Sequence, residues 1–181
     1  MSILSTKFSD VKVIKPFCYN DSRGYFFESF NNNQFNKNLD TQITFVQDNE
    51  SMSKKNTLRG LHYQIKNSQA KLVRVISGEI LDVFVDLRKS SKHFGLWDSV
   101  VLTSENKYQV YIPEGFAHGY YVKSNTAIIA YKTSNYWYPE YERTLIWNDS
   151  NLSIDWGNDT TPIISQKDQD GLPFLKSDLF K

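Results

Sequence analysis

The sequence predicts a mainly β protein, folded as an antiparallel sandwich or barrel. Of its 181 residues, 12 are Phe, 11 are Tyr and 4 are Trp, and aromatic side chains favour pleated sheets over helix bundles. Between residues 11 and 135, short runs of β-forming residues recur at intervals of about 8 to 15 residues, as in all-β sandwiches and barrels. A chain of this length fits one domain, residues 1–181. We expect its C-terminal segment, from about residue 148, to be rich in loops.

Ten runs have the length and composition of strands. They are residues 11–16, 24–30, 43–48, 58–64, 71–76, 79–87, 97–103, 108–113, 118–124 and 127–134. The clearest hairpin joins runs 71–76 and 79–87 through a turn at Gly78. A second sharp turn, Pro113-Glu114-Gly115, follows run 108–113. Two short helices are predicted, one over residues 31–40 and one turn beginning at Gln166.

The run at residues 79–87 alternates between two faces, because successive side chains of a strand point to opposite sides. One face is wholly apolar and predicts core: Leu81, Val83, Val85 and Leu87. The other face is mixed: Ile80, Asp82, Phe84 and Asp86.

Composition excludes several classes of function. The net charge is +1 and no run of Lys or Arg exceeds a pair, which disfavours binding to nucleic acid. A single cysteine, Cys18, excludes an intramolecular disulfide and a cysteine-based metal site. Because no export signal or membrane-length apolar run is visible, we expect a cytoplasmic protein without a membrane span.

The three histidines, His62, His93 and His118, are far apart in the sequence. Metal sites on strands usually use a His-x-His pair, because residues two apart share a face. The residue two beyond His62 is Gln64, so we expect no bound metal.

His62 lies within the predicted strand "LRGLHYQ" and shares a face with Gln64, whereas Leu61 and Tyr63 point the other way. Leu61 and Tyr63 suit a packed core, which leaves His62 and Gln64 facing a more polar cavity. A lone strand histidine is more often structural than catalytic. The residues alone leave both roles open.

Aromatic residues near the end of the strand region also have two interpretations. Tyr131 shares a face with Ala127 and Ile129, so it is either a core residue or a general acid. The cluster that follows either packs at a sheet edge or stacks on a flat ring. It comprises Tyr136, Trp137, Tyr138 and Tyr141.

Isolated cations are usually solvated side chains. Arg23, Lys71 and Lys167 fit that description. Arg59 lies beside a predicted buried strand, where a planar guanidinium is suited to phosphate oxygens.

Several stretches, in order and spacing, resemble the dTDP-4-dehydrorhamnose 3,5-epimerase family over roughly residues 10–168. They are "DSRGYFFESF", "FVQDNESMS", "LRGLHYQ", "KLVRVISGEILDVFVDLR", "FGLW", "IPEGFAHGY", "YKTSNYWYPEYER" and "SQKD". The resemblance implies a cupin-like double-stranded β-helix with short peripheral helices, and usually a homodimer. It implies no metal or other cofactor. The implied reaction inverts C3 and C5 of a 4-keto sugar attached to a nucleoside diphosphate.

The resemblance also implies catalytic roles. His62 is the general base and Asp168 orients its imidazole, while Tyr131 returns a proton on the opposite face of the sugar. Lys71 stabilises the C4 oxygen as it gains charge, and His118 lines the sugar pocket.

Further residues match ligand-contacting positions of the family. Gln47, Asp48 and Asn49 are expected to hold the nucleotide, Arg59 the diphosphate, and Glu142 and Lys167 other parts of the ligand. By the same resemblance, Arg23 and Glu28 reach the site of the neighbouring subunit.

The sequence departs from the family pattern at the position that stacks on the base, where Trp137 stands in place of the usual Tyr. An indole offers a larger π-face, which makes a purine nucleotide conceivable. The loop "NSQAK" is also one residue shorter than usual.

Our default substrate is dTDP-4-dehydro-6-deoxy-D-glucose, converted to dTDP-4-dehydro-L-rhamnose for capsule or lipopolysaccharide. The alternatives are a GDP-linked 4-keto-heptose or another 4-keto sugar, inverted at C3 and C5 or at C3 only. From another class, a non-catalytic sugar-nucleotide-binding cupin is the remaining alternative. It would have no need for both an acid and a base.

Overall fold

The computed structural model describes residues 1–181 and contains thirteen strands and two α-helices. The strands are β1 (Ser2–Leu4), β2 (Lys12–Lys15), β3 (Tyr19–Asp21), β4 (Gly24–Phe26), β5 (Gln47–Lys54), β6 (Leu58–Gln64), β7 (Lys71–Ser77), β8 (Glu79–Asp86), β9 (Trp97–Thr103), β10 (Gln109–Ile112), β11 (Phe116–Val122), β12 (Thr126–Thr133) and β13 (Glu142–Thr144). The helices are α1 (Asn32–Leu39) and α2 (Gln166–Gln169). No helix is long and apolar enough to cross a membrane.

The strands form two large antiparallel sheets and a small arm. The first sheet has the order β1-β2-β10-β7-β12-β5, the second has the order β13-β6-β11-β8-β9, and β3 pairs with β4 alone. Apolar side chains from both large sheets meet in a core of 15 buried residues. This two-sheet architecture confirms the predicted mainly β, cupin-like fold.

The predicted hairpin between runs 71–76 and 79–87 is wrong. β7 pairs with β10 and β12 in the first sheet, whereas β8 pairs with β11 and β9 in the second. Gly78, at φ +87°, therefore turns the chain from one sheet to the other. Alternation and turn chemistry locate two strands and a tight turn, but the pairing partners depend on the rest of the chain.

Both faces of β8 are buried, rather than only one. Ile80 and Phe84 belong to the core between the sheets. The opposite face packs in a second core with Trp156 and Phe174 of the C-terminal segment. The C-terminal segment covers the outside of the second sheet. The alternation of side chains along β8 cannot by itself show this.

Two predicted strands are displaced. Of run 43–48, only Gln47 and Asp48 are strand, and they begin β5, which continues to Lys54. The sequence does not predict the rest of β5, because "QDNESMSK" is polar and lacks the apolar alternation of a recognisable strand. Of run 24–30, only Gly24–Phe26 is strand. Both helices agree with prediction: Asn31 caps α1 and Ser165 caps α2, each through a side-chain oxygen.

Candidate active site

A polar cavity of about 260 Å³ opens between the two sheets. Its walls include His62 of β6, Lys71 of β7 and Tyr131 of β12. A deeper compartment of about 240 Å³ shares these three residues and adds Arg59 and His118. The two compartments together bring nine of the predicted site residues into one region: Gln47, Asn49, Arg59, His62, Lys71, His118, Tyr131, Trp137 and Glu142.

An irregularity in β6 places Arg59 and His62 on the same wall. His62 pairs with His118 of β11, and Arg59 pairs with Tyr120, so three steps along β6 match two steps along β11. In a regular strand, residues three apart point to opposite faces. The extra residue removes that opposition, and both side chains line the deeper compartment.

His62 and Asp168 form a hydrogen-bonded pair. The Nε2 atom of His62 lies 2.5 Å from Oδ1 of Asp168, and the backbone N–H of Gly60 donates to Oδ2 at 3.3 Å. Asp168 is only 2% exposed. Burial acts to raise the pKa of this carboxyl, but the hydrogen bond and charge of His62 outweigh it, so the pKa of Asp168 is lowered. An ionised Asp168 can fix the orientation of the imidazole.

Lys71 is a buried cation at the floor of the cavity. Its Nζ atom donates to the backbone oxygen of His62 at 3.4 Å. Burial lowers the pKa of Lys71 to about 8, although Asp82 and Glu142 partly oppose the shift. The ammonium form can therefore stabilise a negative oxygen in the cavity near neutral pH.

Tyr131 faces His62 from the other sheet, since β12 belongs to the first sheet and β6 to the second. Its ring packs against the core between the sheets. Burial, followed by the nearby Tyr120 and Glu142, raises the pKa of Tyr131. Its hydroxyl consequently keeps its proton and can act as an acid.

Comparison with known proteins shows the family of this chain. The family model of dTDP-4-dehydrorhamnose 3,5-epimerase matches residues 5–176. The chain belongs to the dTDP-4-dehydrorhamnose 3,5-epimerase family. It is 48% identical to the dTDP-4-dehydrorhamnose 3,5-epimerase of Pseudomonas aeruginosa, covering 94% of each chain. It is 45% identical to that of Shigella flexneri, covering 99% of each.

The fold of this chain is also similar to that of a solved epimerase structure. The dTDP-6-deoxy-D-glucose-3,5-epimerase of Legionella pneumophila, in complex with dTDP-4-keto-L-rhamnose, is 43% identical to this chain. The two structures superpose with a TM-score of 0.97, covering 99% of this chain and 97% of the other.

The rim of this epimerase-family cavity carries three predicted nucleotide-binding residues. The side chain of Gln47 donates to Asn49 at 2.9 Å and accepts the backbone N–H of Trp137 at 3.1 Å. Trp137 is 53% exposed, so its indole is accessible for stacking on a flat ring.

An ion pair lies next to the His62–Asp168 pair. Lys167 of α2 lies 2.7 Å from Glu142 of β13. Burial acts to raise the pKa of Glu142, but the hydrogen bond and charge of Lys167 lower it overall. Because Lys167 belongs to α2 and Glu142 lines the cavity, this ion pair joins α2 to the cavity wall.

Arg59 and His118 have supporting partners that the sequence did not single out. Ser53 accepts from Nε of Arg59 at 3.0 Å. Oδ2 of Asp82 lies 2.8 Å from Nε2 of His118, and Oδ1 of this fully buried carboxylate has no partner. Burial above all lowers the pKa of His118. The sequence offers one indication of Asp82, because it places a carboxylate on the mixed face of run 79–87.

Three predicted binding residues lie away from this cavity. Asp48 points to the opposite side of β5 from Gln47 and Asn49, and its carboxylate pairs with Lys132 at 2.8 Å. Its neighbours on β5 share the cavity face because strand side chains alternate. Arg23 lies on the β3–β4 arm with its side chain 88% exposed, and Glu28 lines a separate cavity beside α1. Within one chain the structure does not bring them to the cavity.

Proposed function

We propose that this chain converts dTDP-4-dehydro-6-deoxy-D-glucose to dTDP-4-dehydro-L-rhamnose by inverting C3 and C5. The observation that carries the proposal is the position of His62, which Asp168 holds opposite Tyr131 across a cavity with a buried Lys71. Membership of the epimerase family supports the same reaction. The product would serve synthesis of a capsule or lipopolysaccharide.

Removal of a proton beside a ketone needs a base at the C–H and a positive group at the carbonyl oxygen. His62 accepts the proton, and the electron pair of the C–H bond moves into an enolate whose oxygen gains negative charge. Lys71, on the floor of the same cavity, stabilises that oxygen. Asp168 stabilises the imidazolium that His62 becomes.

Inversion requires a new C–H bond on the face opposite to the one that lost the proton. Tyr131 donates that proton from the first sheet, while His62 works from the second. The tyrosinate that results regains a proton from solvent or from the imidazolium. The same pair of residues can act at C3 and then at C5, because both carbons flank the C4 ketone.

We assign the base of the nucleotide to the rim, and the diphosphate to residues that line a neighbouring cavity beside His62. We assign the base to Trp137, with Gln47 and Asn49 beside it, and the diphosphate to Arg59 and Lys167. An exposed aromatic ring stacks on a base, and a guanidinium suits phosphate oxygens. Glu142 positions Lys167 through their ion pair.

The arm supports a dimer in which each subunit completes the site of the other. Phe17, Tyr19 and Phe26 are 63%, 63% and 69% exposed on or beside β3 and β4. Such a cluster of exposed aromatic side chains marks an interaction surface. In this dimer Arg23 and Glu28 reach the neighbouring cavity.

Solvent exchange tests the reaction. The chain is incubated in heavy water with dTDP-4-dehydro-6-deoxy-D-glucose and, in parallel, with GDP-linked 4-keto sugars, and deuterium at C3 and C5 is read by mass spectrometry and NMR. We expect exchange at both carbons of the dTDP sugar and none with His62→Ala. Exchange at C3 alone would identify a one-carbon epimerase.

The same assay separates the enzyme from a binding protein. Binding of the dTDP sugar without deuterium at either carbon would refute the proposal and favour the non-catalytic cupin. Exchange should survive treatment with a strong chelator. A strict metal requirement would contradict the mechanism.

A further inference from the structure

Two glycines face each other where β6 pairs with β11, next to His62 and Asp168. A Cβ atom on Gly60 would lie 2.7 Å from Cα of Gly119, and a Cβ atom on Gly119 would lie 2.7 Å from the backbone oxygen of Arg59. Gly60 also has φ +114°, a conformation that side chains rarely allow. Any larger residue at either position would push the strands apart.

This close approach of the two strands coincides with the irregularity in β6. The pairing of β6 with β11 shifts by one residue between His118 and Tyr120, on either side of Gly119. At that point the backbone N–H of Gly60 points to Asp168 of α2 rather than into the ladder with β11.

Asp168 therefore has two separate anchors, one for each carboxylate oxygen. Oδ1 is bound to Nε2 of His62 at 2.5 Å, and Oδ2 accepts the Gly60 N–H at 3.3 Å. A carboxylate held at one oxygen can rotate about its own bond. A second donor fixes its plane, and the supporting groups of a catalytic residue act in this way.

We propose that Gly60 is a positioning residue for the epimerisation, whose N–H fixes the Asp168 carboxylate against His62, and that Gly119 provides the space this requires. The inference rests on the proposed function, because it assigns Gly60 an effect on the base of that reaction. Gly60 acts through Asp168 and does not touch the reacting carbons.

Backbone NMR tests the contact without any assay of activity. The chain has eight glycines, so glycine-selective nitrogen-15 labelling gives a spectrum with few signals. We expect the Gly60 amide of the wild type to be protected from hydrogen exchange. Asp168→Ala should reduce that protection roughly tenfold or more, since a hydrogen bond to a charged acceptor is lost. His62→Ala, which keeps Asp168, should retain most of it.

Equal protection of Gly60 in the wild type and in Asp168→Ala would overturn the inference. This outcome is independent of catalysis. If no substrate undergoes exchange, the proposed function fails while the NMR result still decides the Gly60 contact.

A double-mutant cycle then tests the role in catalysis. Gly60→Ala retains the N–H but displaces β6 from β11, which should move that N–H away from Asp168 and lower kcat about 10- to 100-fold. In an Asp168→Asn background it should lower kcat less than about threefold, because the residue through which Gly60 acts has already lost its charge. Equal losses in both backgrounds would show a merely structural effect and overturn the role.

The matched control is Gly157→Ala. Gly157 also has a positive φ, +59°, but a Cβ atom there would meet only Nζ of Lys123 at 4.0 Å. We expect its activity to stay within about twofold of the wild type, as for surface substitutions in general. If Gly60→Ala does not fold, the amide measurements on the wild type and Asp168→Ala decide the inference.

Discussion

The imidazole of His62 and the carboxylate of Asp168 meet at 2.5 Å although 106 positions separate them in the chain. His62 lies on β6 in the second sheet, and Asp168 lies on the short helix α2 that packs against that strand. In the proposed mechanism, this contact makes α2 part of the site. Loss of the His62–Asp168 contact should leave a folded but slow enzyme.

Asp168→Asn tests this contact. The amide retains the size of the side chain but not its charge, so it stabilises the imidazolium poorly and favours the wrong tautomer. We expect kcat to fall by a factor on the order of 10⁴, as for a comparable His–Asp pair, with unchanged thermal unfolding. Asp170→Asn, at the exposed end of the same helix, is the control. A loss below about tenfold for Asp168→Asn would remove Asp168 from the mechanism.

Lys71 should limit activity on the alkaline side. Its pKa is lowered to about 8, mainly by burial, so the ammonium is present below that pH and lost above it. The enolate then loses its positive partner, and kcat should fall as pH rises through about 8. Tyr131 does not explain this limb, because its pKa is raised from 10. The measurement is a pH profile of the initial rate.

Lys71→Arg provides the matched variant for this profile. Arginine keeps its charge throughout the accessible range, so the alkaline limb should disappear even if the maximal rate is lower. An unchanged limb in Lys71→Arg would assign the titration to another group.

Tyr131→Phe should separate proton removal from inversion. The variant keeps His62 and Lys71, so deuterium should still enter the substrate from the His62 side. Without the acid on the first sheet, formation of inverted product should fall by about 10²-fold or more. Tyr111→Phe removes a buried tyrosine hydroxyl outside the cavity and serves as the control. Equal loss of exchange and inversion in Tyr131→Phe would contradict its role.

Local sequence pattern predicts several strands of the fold. For example, β6 runs from Leu58 to Gln64, as predicted. As the alternation predicts, Leu61 and Tyr63 are buried in core, whereas His62 and Gln64 line the cavity, although Tyr63 also contributes to its lining. β5 shows where the pattern fails. Its side chains are nearly all polar, because one face lines the cavity and the other faces outwards.

The site depends on contacts that no local pattern encodes. Periodicity alone does not decide between a structural and a catalytic His62, and only the ordered family motifs assign it a partner at Asp168. The same motifs grouped Asp48 with its neighbours on β5. The alternation of that strand turns Asp48 away from the cavity, and the resemblance carried no information about which face each residue occupies.

Trp137 should determine how tightly the nucleotide binds. Loss of stacking in Trp137→Ala is expected to raise KM for the dTDP sugar about 5- to 100-fold, because stacking of a base on an aromatic ring contributes about 1–3 kcal/mol. The chemical step should change little. Trp137→Tyr should retain most of the affinity. A preference of the wild type for a GDP sugar, reversed by Trp137→Tyr, would show that the indole selects a purine.

Mixed dimers should show whether the arm serves the neighbouring site. Arg23→Ala damages only the arm, and His62→Ala damages only the base. If the arm reaches across, a mixed dimer contains one site with both defects and one intact site. Co-refolding equal amounts of two inactive variants should therefore restore about a quarter of the wild-type activity by statistical mixing. If Arg23→Ala alone lowers activity only slightly, the double variant Arg23→Ala/Glu28→Ala takes its place as the variant with a defective arm. No recovery, with mixed dimers verified by mass spectrometry, would confine each site to one subunit.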